Sequence, residues 1–439
     1  MYSIIDELFD FGVCCPQEFL ERREIEAAMD QKVKIVARTF EVDETDHPVE
    51  DLVLLAGKAA GVCYMPDDYM QNGIQDAQRA MKRAQMTAKS GHHSVFDHGN
   101  ITFLLETSKM MAMILNSVGF YTTSEKSARY TTMKPQTFKE QSLYEKWTDR
   151  IQSEILRVYT DMKEKDAQKL AGENARYFIS VFTPTVMEYT VSFRQAHLIH
   201  AYLLRLYQET KDAANAFYRQ VGEEARQLAY ALHEKLGDFA LPDYKNQQFR
   251  FLEAIANVGH TTAKKEVLGD SYTMVYMVSF AALAQLQRHR TLRYTMFFDG
   301  DPYQFGFYVP AIVEYAGLTR EWTKDMKEVA ATYPQGLLVR VTEQGIFEDF
   351  ALKCKERMCG RTQLETMRAT MSAMRKFHSA KNLLSEANTD LLLSMTAPDA
   401  KFGSDTMGLP TPAARCRFAD YTCTQGCRWG AKDSLTRLI

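Results

Sequence analysis

Apolar positions recur along the chain with two periods. Alternation at residues 32–36 predicts a short strand, and three-to-four spacing at 49–60 predicts an amphipathic helix. A more polar helix is expected at 74–90, stopping at Gly91. Residues 101–105 read as a strand, 108–115 as a helix and 116–130 as a loop. One long helix is predicted over 144–170, a Thr-Pro break at Pro184, and further helices over 196–205 and 213–236. The stretch 237–246, holding Pro242, is the natural linker. Beyond it, 271–286 runs from strand into helix, Tyr333-Pro334-Gln335-Gly336 interrupts a helical region, and 347–371 reads as one helix. Residues 1–30 form a helical extension in this reading.

The pattern repeats. Gly91-His92-x-Ser94 is echoed by Gly259-His260-x-Thr262, and 100–115 by 271–286 in the same strand-to-helix order. Ser108 falls on Ser279 and Leu115 on Leu286, both 171 positions apart (279 − 108; 286 − 115). The expected domains are therefore 1–30, a first copy at 31–240, a second at 241–400 and a cysteine-bearing tail at 401–439. The fold class implied is α+β, each copy a small antiparallel sheet packed by long helices, with the helices of the two copies pairing across a pseudo-twofold axis.

Composition narrows the setting. An apolar fraction of 46% and a charged fraction of 25% in 439 residues describe a globular chain with a sizeable core. The net charge of −3 excludes bulk attraction to nucleic acid or anionic lipid. No apolar run reaches the ~18 residues that span a bilayer, and Met1 to Asp10 carries acids and no base, unlike a targeting peptide. A cytoplasmic location is expected, where eight cysteines are thiols or ligands rather than disulfides.

Against this background three polar clusters stand out. Gln285-Leu286-Gln287-Arg288-His289-Arg290 closes an apolar segment with two permanent cations whose planar donors suit phosphate and carboxylate. Glu125, Ser127 and Arg129 alternate, so an extended backbone would aim an acid, a hydroxyl and a guanidinium to one side, as a sugar-phosphate needs; a solvated loop is the plainer alternative. Gly91-His92-His93-Ser94-Val95-Phe96-Asp97-His98 lacks the two-histidine spacing of a helical zinc site, which favours a pocket lining. At the 171 offset Arg288 falls on Ser117 and Arg129 on Gly300, so each copy keeps the half that the other has lost.

These residues resemble the flavin-dependent thymidylate synthases. The Arg-His-Arg of that family is similar to Arg288-His289-Arg290, and its acid-x-Ser-x-Arg-Tyr to Glu125-x-Ser127-x-Arg129-Tyr130. Glu173-x-Ala175-Arg176 matches its Glu-x-Ala-Arg, and 198–205, with His200, its Leu-Leu-His helix. Arg357-x-Cys359-x-Arg361-Thr362-Gln363-x-Glu365 is similar to the Arg-x-Cys-x-Arg-Ala-Gln-x-Glu of some members. The family's Ser-x-Asn is replaced by Thr122-Thr123-Ser124 and Arg293-Tyr294-Thr295, and 328–331 lacks the arginine of Glu-x-Ala-Arg.

The resemblance implies reductive methylation of dUMP to dTMP with methylenetetrahydrofolate, FAD and NADPH, at a site shared by the two copies. In that reading Arg357 and Arg288 are catalytic. Gln285, Arg288, Glu125, Ser127, Arg129 and Arg176 bind the nucleotide, and His92, Ser94, Arg288, His289, Arg290 and His200 bind FAD. Family members are tetramers with shared sites, so a fused chain is expected to be a homodimer forming a pseudo-tetramer. Cys359, Cys416, Cys423 and Cys427 could hold zinc, with free thiols as the alternative. The alternative functions are a flavin- and folate-dependent hydroxymethylase and a silent nucleotide- or flavin-binding paralogue.

Overall fold

The computed structural model describes residues 32–38, 48–62, 76–90, 93–127, 131, 133–237, 239, 241, 266–396, 412–418, 421–423 and 426–439. The extension at 1–30, His92, Arg129, His260 and most of the linker lie outside the described residues. In chain order the elements are β1 (Lys32–Arg38), α1 (Pro48–Val62), α2 (Ala77–Lys89), β2 (Asn100–Ser108), α3 (Lys109–Leu115), β3 (Thr122–Glu125), α4 (Phe138–Val158), α5 (Glu164–Ala175) and β4 (Pro184–Ser192). There follow α6 (Phe193–Thr210), α7 (Ala216–Leu236), β5 (Ser271–Ser279), α8 (Phe280–Leu286), β6 (Arg293–Phe297), α9 (Thr319–Glu328), β7 (Leu338–Ile346), α10 (Phe347–Arg357), α11 (Leu364–Ser379) and α12 (Glu386–Ser394). No described helix is long and apolar enough to cross a membrane.

The chain forms two compact units, and they are not contiguous in sequence: 1–126 with 184–253, and 127–183 with 254–439. Unit 1 holds a sheet of order β1-β2-β4-β3. Its inward residues Ile101, Phe103, Leu105, Met187, Tyr189 and Val191 are buried, as period-two alternation requires. Residues of α3 are buried on every side, which its composition Lys-Met-Met-Ala-Met-Ile-Leu allows except at Lys109.

Unit 2 holds a sheet of order β5-β7-β6. Its pairing repeats that of unit 1 residue for residue. Asn100 pairs with Ser192 and Ser108 with Pro184; Ser271 pairs with Ile346 and Ser279 with Leu338. Thr122 opposite Thr190 corresponds to Arg293 opposite Gln344. In both units the first strand ends in a serine that caps the next helix, Ser108 accepting from Met111 N–H and Ser279 from Ala282 N–H. Within unit 2, Trp147, Ile151, Tyr177, Phe178, Trp322 and Met326 belong to one apolar cluster.

Several expectations need correction. The helix expected over 144–170 is two, α4 and α5, because Tyr159 leaves helical geometry (φ −117°, ψ 76°); its hydroxyl accepts Leu438 N–H at 3.0 Å and its ring meets Trp429 edge-on at 5.1 Å. The helix expected over 347–371 breaks between α10 and α11, where a Cβ on Gly360 would lie 3.0 Å from Cys427 Sγ and 2.8 Å from Ser434 Oγ. Residues 122–125, read as loop, form β3, and the Thr-Pro break at Pro184 opens strand β4. β6 and β7 went unread, although Leu338–Ile346 is a nine-residue strand. Each gains regular structure from ladder bonds to a partner distant in sequence, which local spacing does not contain.

Candidate functional site

The site lies within unit 2 and begins at the end of α8. Its seven residues are apolar apart from Gln285, and the chain then turns, Arg288 N–H donating to Gln285 O at 3.3 Å and His289 N–H to Leu286 O at 3.1 Å. The turn leaves Arg290 exposed and His289 buried. Burial, then Arg357 and then Lys353, pushes the His289 imidazole down to about 2. It is therefore neutral at neutral pH, and its 3.6 Å approach to Glu356 is not an ion pair.

The last residue of α10 completes this face. Arg357 Nη2 donates to Gln285 O at 3.2 Å, so the same carbonyl anchors Arg357 and the arginine turn. After the Gly360 elbow, α11 is preceded by Gln363, whose amide lies at the centre of a buried chain of hydrogen bonds. Arg176 Nη2 donates to Gln363 Oε1 at 2.6 Å, and Gln285 Nε2 donates to the same oxygen. Gln363 Nε2 donates to Tyr177 OH, which donates to Glu365 Oε2 at 2.7 Å. Glu365 also accepts Ser279 N–H and Oγ–H, each at 2.7 Å. Burial pushes the Glu365 carboxyl up, opposed by these donors and by Arg176.

Tyr177 is fixed from below. Gln335 N–H donates to Ile179 O at 2.8 Å and Gly336 N–H to Tyr177 O at 2.9 Å. A Cβ on Gly336 would stand 2.7 Å from Met326 Cε and 3.0 Å from Tyr177 Cβ, so only glycine admits this approach. A cleft beside the chain is lined by Glu173, Asn174, Tyr308, Gln363, Trp429 and Arg437.

Of the residues expected to act, the structure thus brings together Gln285, Arg288, His289, Arg357 and Arg176. Others lie elsewhere. In unit 1 the Glu125 side chain is 4% exposed and pairs with Lys109, with Asn116 and Thr185 each at 3.5 Å. Ser127 accepts at its carbonyl from Thr131 Oγ1 at 2.7 Å. Ser94 is exposed in a short 3-10 helix. His200 stacks on His233 at 5.7 Å, and burial with that neighbour pushes it down to about 4.

Zinc is not shown. Among the described residues no three His, Cys, Asp or Glu side chains are gathered to hold a metal. Cys359, Cys416 and Cys427 are in no disulfide. Burial, and then the thiols of Cys427, Cys423 and Cys359, push the Cys416 thiol up.

Sequence reasoning missed Tyr177, Ser279 and Glu365 as members of the site. Ser279 directly precedes an apolar helical run, the position of a capping serine. It also missed a buried ion pair below the arginine turn. Lys353 Nζ lies 2.5 Å from Glu343 Oε2, with side chains 1% and 0% exposed; Tyr272 OH donates to Glu343 at 2.7 Å and Tyr276 OH also donates to it. No sequence spacing joins residues on a strand and a helix in this way.

Residues 49–240 match the family described as thymidylate synthase complementing protein. No curated protein matches the chain. Among solved structures, the chain is similar to the UMP/dUMP methylase PolB from Streptomyces cacaoi bound with 5-Br dUMP, at 16% identity and a TM-score of 0.28, over 48% of this chain and 97% of that one. It is also similar to a flavin dependent thymidylate synthase from Helicobacter pylori complexed with FAD and dUMP, at 17% identity and a TM-score of 0.27, over 47% and 97%.

Proposed function

We propose that this protein, whose residues 49–240 match the thymidylate synthase complementing family, methylates dUMP at C5, using the arginine-rich site of unit 2. The observation that carries the reading is that Arg357 and Arg176, from distant parts of the chain, both anchor on the Gln285–Gln363 pair. Gln285 contacts the base and Arg288 bridges nucleotide and flavin. Arg357 lies where a fixed cation can stabilise negative charge on the uracil carbonyl, which makes C5 nucleophilic. Arg176 holds phosphate.

FAD fits the arginine turn on one structural ground. His289 Nε2 is buried without a hydrogen-bond partner, between two arginines, as expected of a group completed by a polar ligand. Bound there, reduced FAD would supply the hydride, with NADPH as reductant and methylenetetrahydrofolate as carbon donor. The protein's own residues hold, orient and neutralise charge. The matching registers of the two sheets further support an origin by internal duplication, in which only the second copy kept the arginine turn.

Tritium release from [5-³H]dUMP, with FAD, NADPH and methylenetetrahydrofolate present, tests the reading. Release that is lost in Arg357→Ala and Arg288→Ala is expected. Flavin-loaded native protein that binds dUMP yet releases no tritium would overturn the methylation step.

A further inference from the structure

We infer that Gln363, acting through Gln285, selects uracil over cytosine by fixing which end of the Gln285 amide faces the base. The inference rests on the nucleotide reading above and adds a positioning residue to it.

A glutamine amide offers a carbonyl at one end and an NH₂ at the other, and on its own can turn either toward a ligand. Here the polarity is set from an end that cannot reverse. Arg176 has only donors, so the Gln363 atom it touches at 2.6 Å must be the oxygen. The Gln363 nitrogen then faces Tyr177, whose oxygen accepts, leaving the phenolic proton for Glu365 at 2.7 Å. At the far end Ser279 N–H donates to Glu365 Oε1, and the Ser279 hydroxyl shares Oε2 with Tyr177. The direction is set at the Arg176 end.

Gln285 reads the result. Its Nε2 donates to Gln363 Oε1, so its own Oε1 is the acceptor end; the Thr366 hydroxyl donates to it at 3.5 Å, which leaves a second lone pair for a ligand. Arg357 and the arginine turn pin the Gln285 backbone carbonyl, so the side chain pivots about a fixed stem. Uracil carries N–H at N3 flanked by carbonyls, which complements an acceptor beside an NH₂ group. Cytosine carries a bare N3 and an exocyclic amine, and would set lone pair against lone pair. Turning the Gln285 amide to suit cytosine would aim its oxygen at Gln363 Oε1, inside a buried chain where an unmet acceptor is costly. Unit 1 lacks this device: at the position two before its own buried glutamate, Glu224, stands Gly222, where a Cβ would collide with Thr210 Oγ1.

Isothermal titration of the full-length protein with dUMP and with dCMP tests the inference. The ratio of the two dissociation constants, taken on one preparation, is independent of the folded fraction. Native protein should prefer dUMP by at least about a hundredfold. Gln363→Met frees the Gln285 amide and should lower that ratio at least about tenfold. Gln363→Glu keeps an acceptor toward Arg176 and Gln285 and should hold the ratio within about threefold of native. Equal losses for both nucleotides in Gln363→Met, or native protein that binds dCMP as well as dUMP, would overturn it. Native protein that binds neither nucleotide would instead overturn the function proposed for the site.

Discussion

Units 1 and 2 share a strand order and a register yet bury opposite kinds of chemistry at matching positions. Glu343 stands on β7 where Tyr189 stands on β4, and Lys353 on α10 where Ile199 stands on α6, at one constant shift of 154 (343 − 189; 353 − 199). In unit 1 these positions join Phe103, Leu105 and Leu228 around a small apolar void. In unit 2 they form an ion pair wrapped by Tyr272 and Tyr276. At the same shift Leu203 corresponds to Arg357 (357 − 203). The fold is therefore indifferent to the ion pair, since the same register forms without it. A buried pair is weak evidence for stability, and this one lies only in the unit that carries the arginines. One pairing survives in both units: Ser108 donates to Glu224 as Ser279 donates to Glu365. The serine–glutamate link belongs to the architecture and the cationic layer to the site.

The largest effect should come from breaking the ion pair on one side. Lys353→Met leaves Glu343 buried and uncompensated and should cost about 3–5 kcal/mol in chemical denaturation. Adding Glu343→Gln should recover most of that loss, whereas no recovery would mean that the fold of unit 2 depends on the pair.

Next comes pH. Burial pushes Glu224 up to about 8, from an ordinary value near 4.5. Between those values the folded protein holds a proton that the unfolded chain releases, so stability falls as pH rises through this window. Glu224→Gln should remove that slope, raising stability at pH 8 by about 2–4 kcal/mol relative to pH 5. At the acid end the sign reverses. His197 and His200 are pushed down, to about 3 and about 4, chiefly by burial. The unfolded chain takes up their protons first, so stability is lost as pH falls from about 6.5 towards 4. A Glu224→Gln midpoint that changes between pH 5 and pH 8 just as the native one does would contradict the buried glutamate.

Nucleotide affinity sharpens the comparison further. Arg357→Ala should weaken dUMP binding by about a hundredfold, the usual scale for losing one charged partner. Leu203→Met, at the corresponding position of unit 1, should leave it within about twofold. The smallest effect is a shared one. Ser108→Ala and Ser279→Ala should each cost about 1 kcal/mol through the lost cap, by similar amounts in the two units.

Much of this was legible in residue spacing. The strand-to-helix segments at 100–115 and 271–286 were found with their boundaries almost intact, because a period change is local. The arginine turn was legible because two permanent cations beside a histidine, after an apolar run, are a poor choice for a core. The strands β3, β4, β6 and β7 were not, since each is short or follows a Pro or Gly break and is held by distant partners.

By itself, then, the sequence determined the order of the leading elements, the internal echo and the residue types able to grip an anion. Only the tertiary structure decided which of them meet. Residues 127–183 fold into unit 2 rather than with the strands that flank them, which delivers Arg176 and Tyr177 to Gln363 and Glu365 across 187 and 188 positions. That meeting depends on the glycine contacts at Gly336 and Gly360 and on the break that ends α10. Periodicity follows from the geometry of neighbouring residues along one element. The partner of a buried polar atom is chosen by packing across the whole unit, where an unmet donor or acceptor is penalised wherever in the chain its complement lies.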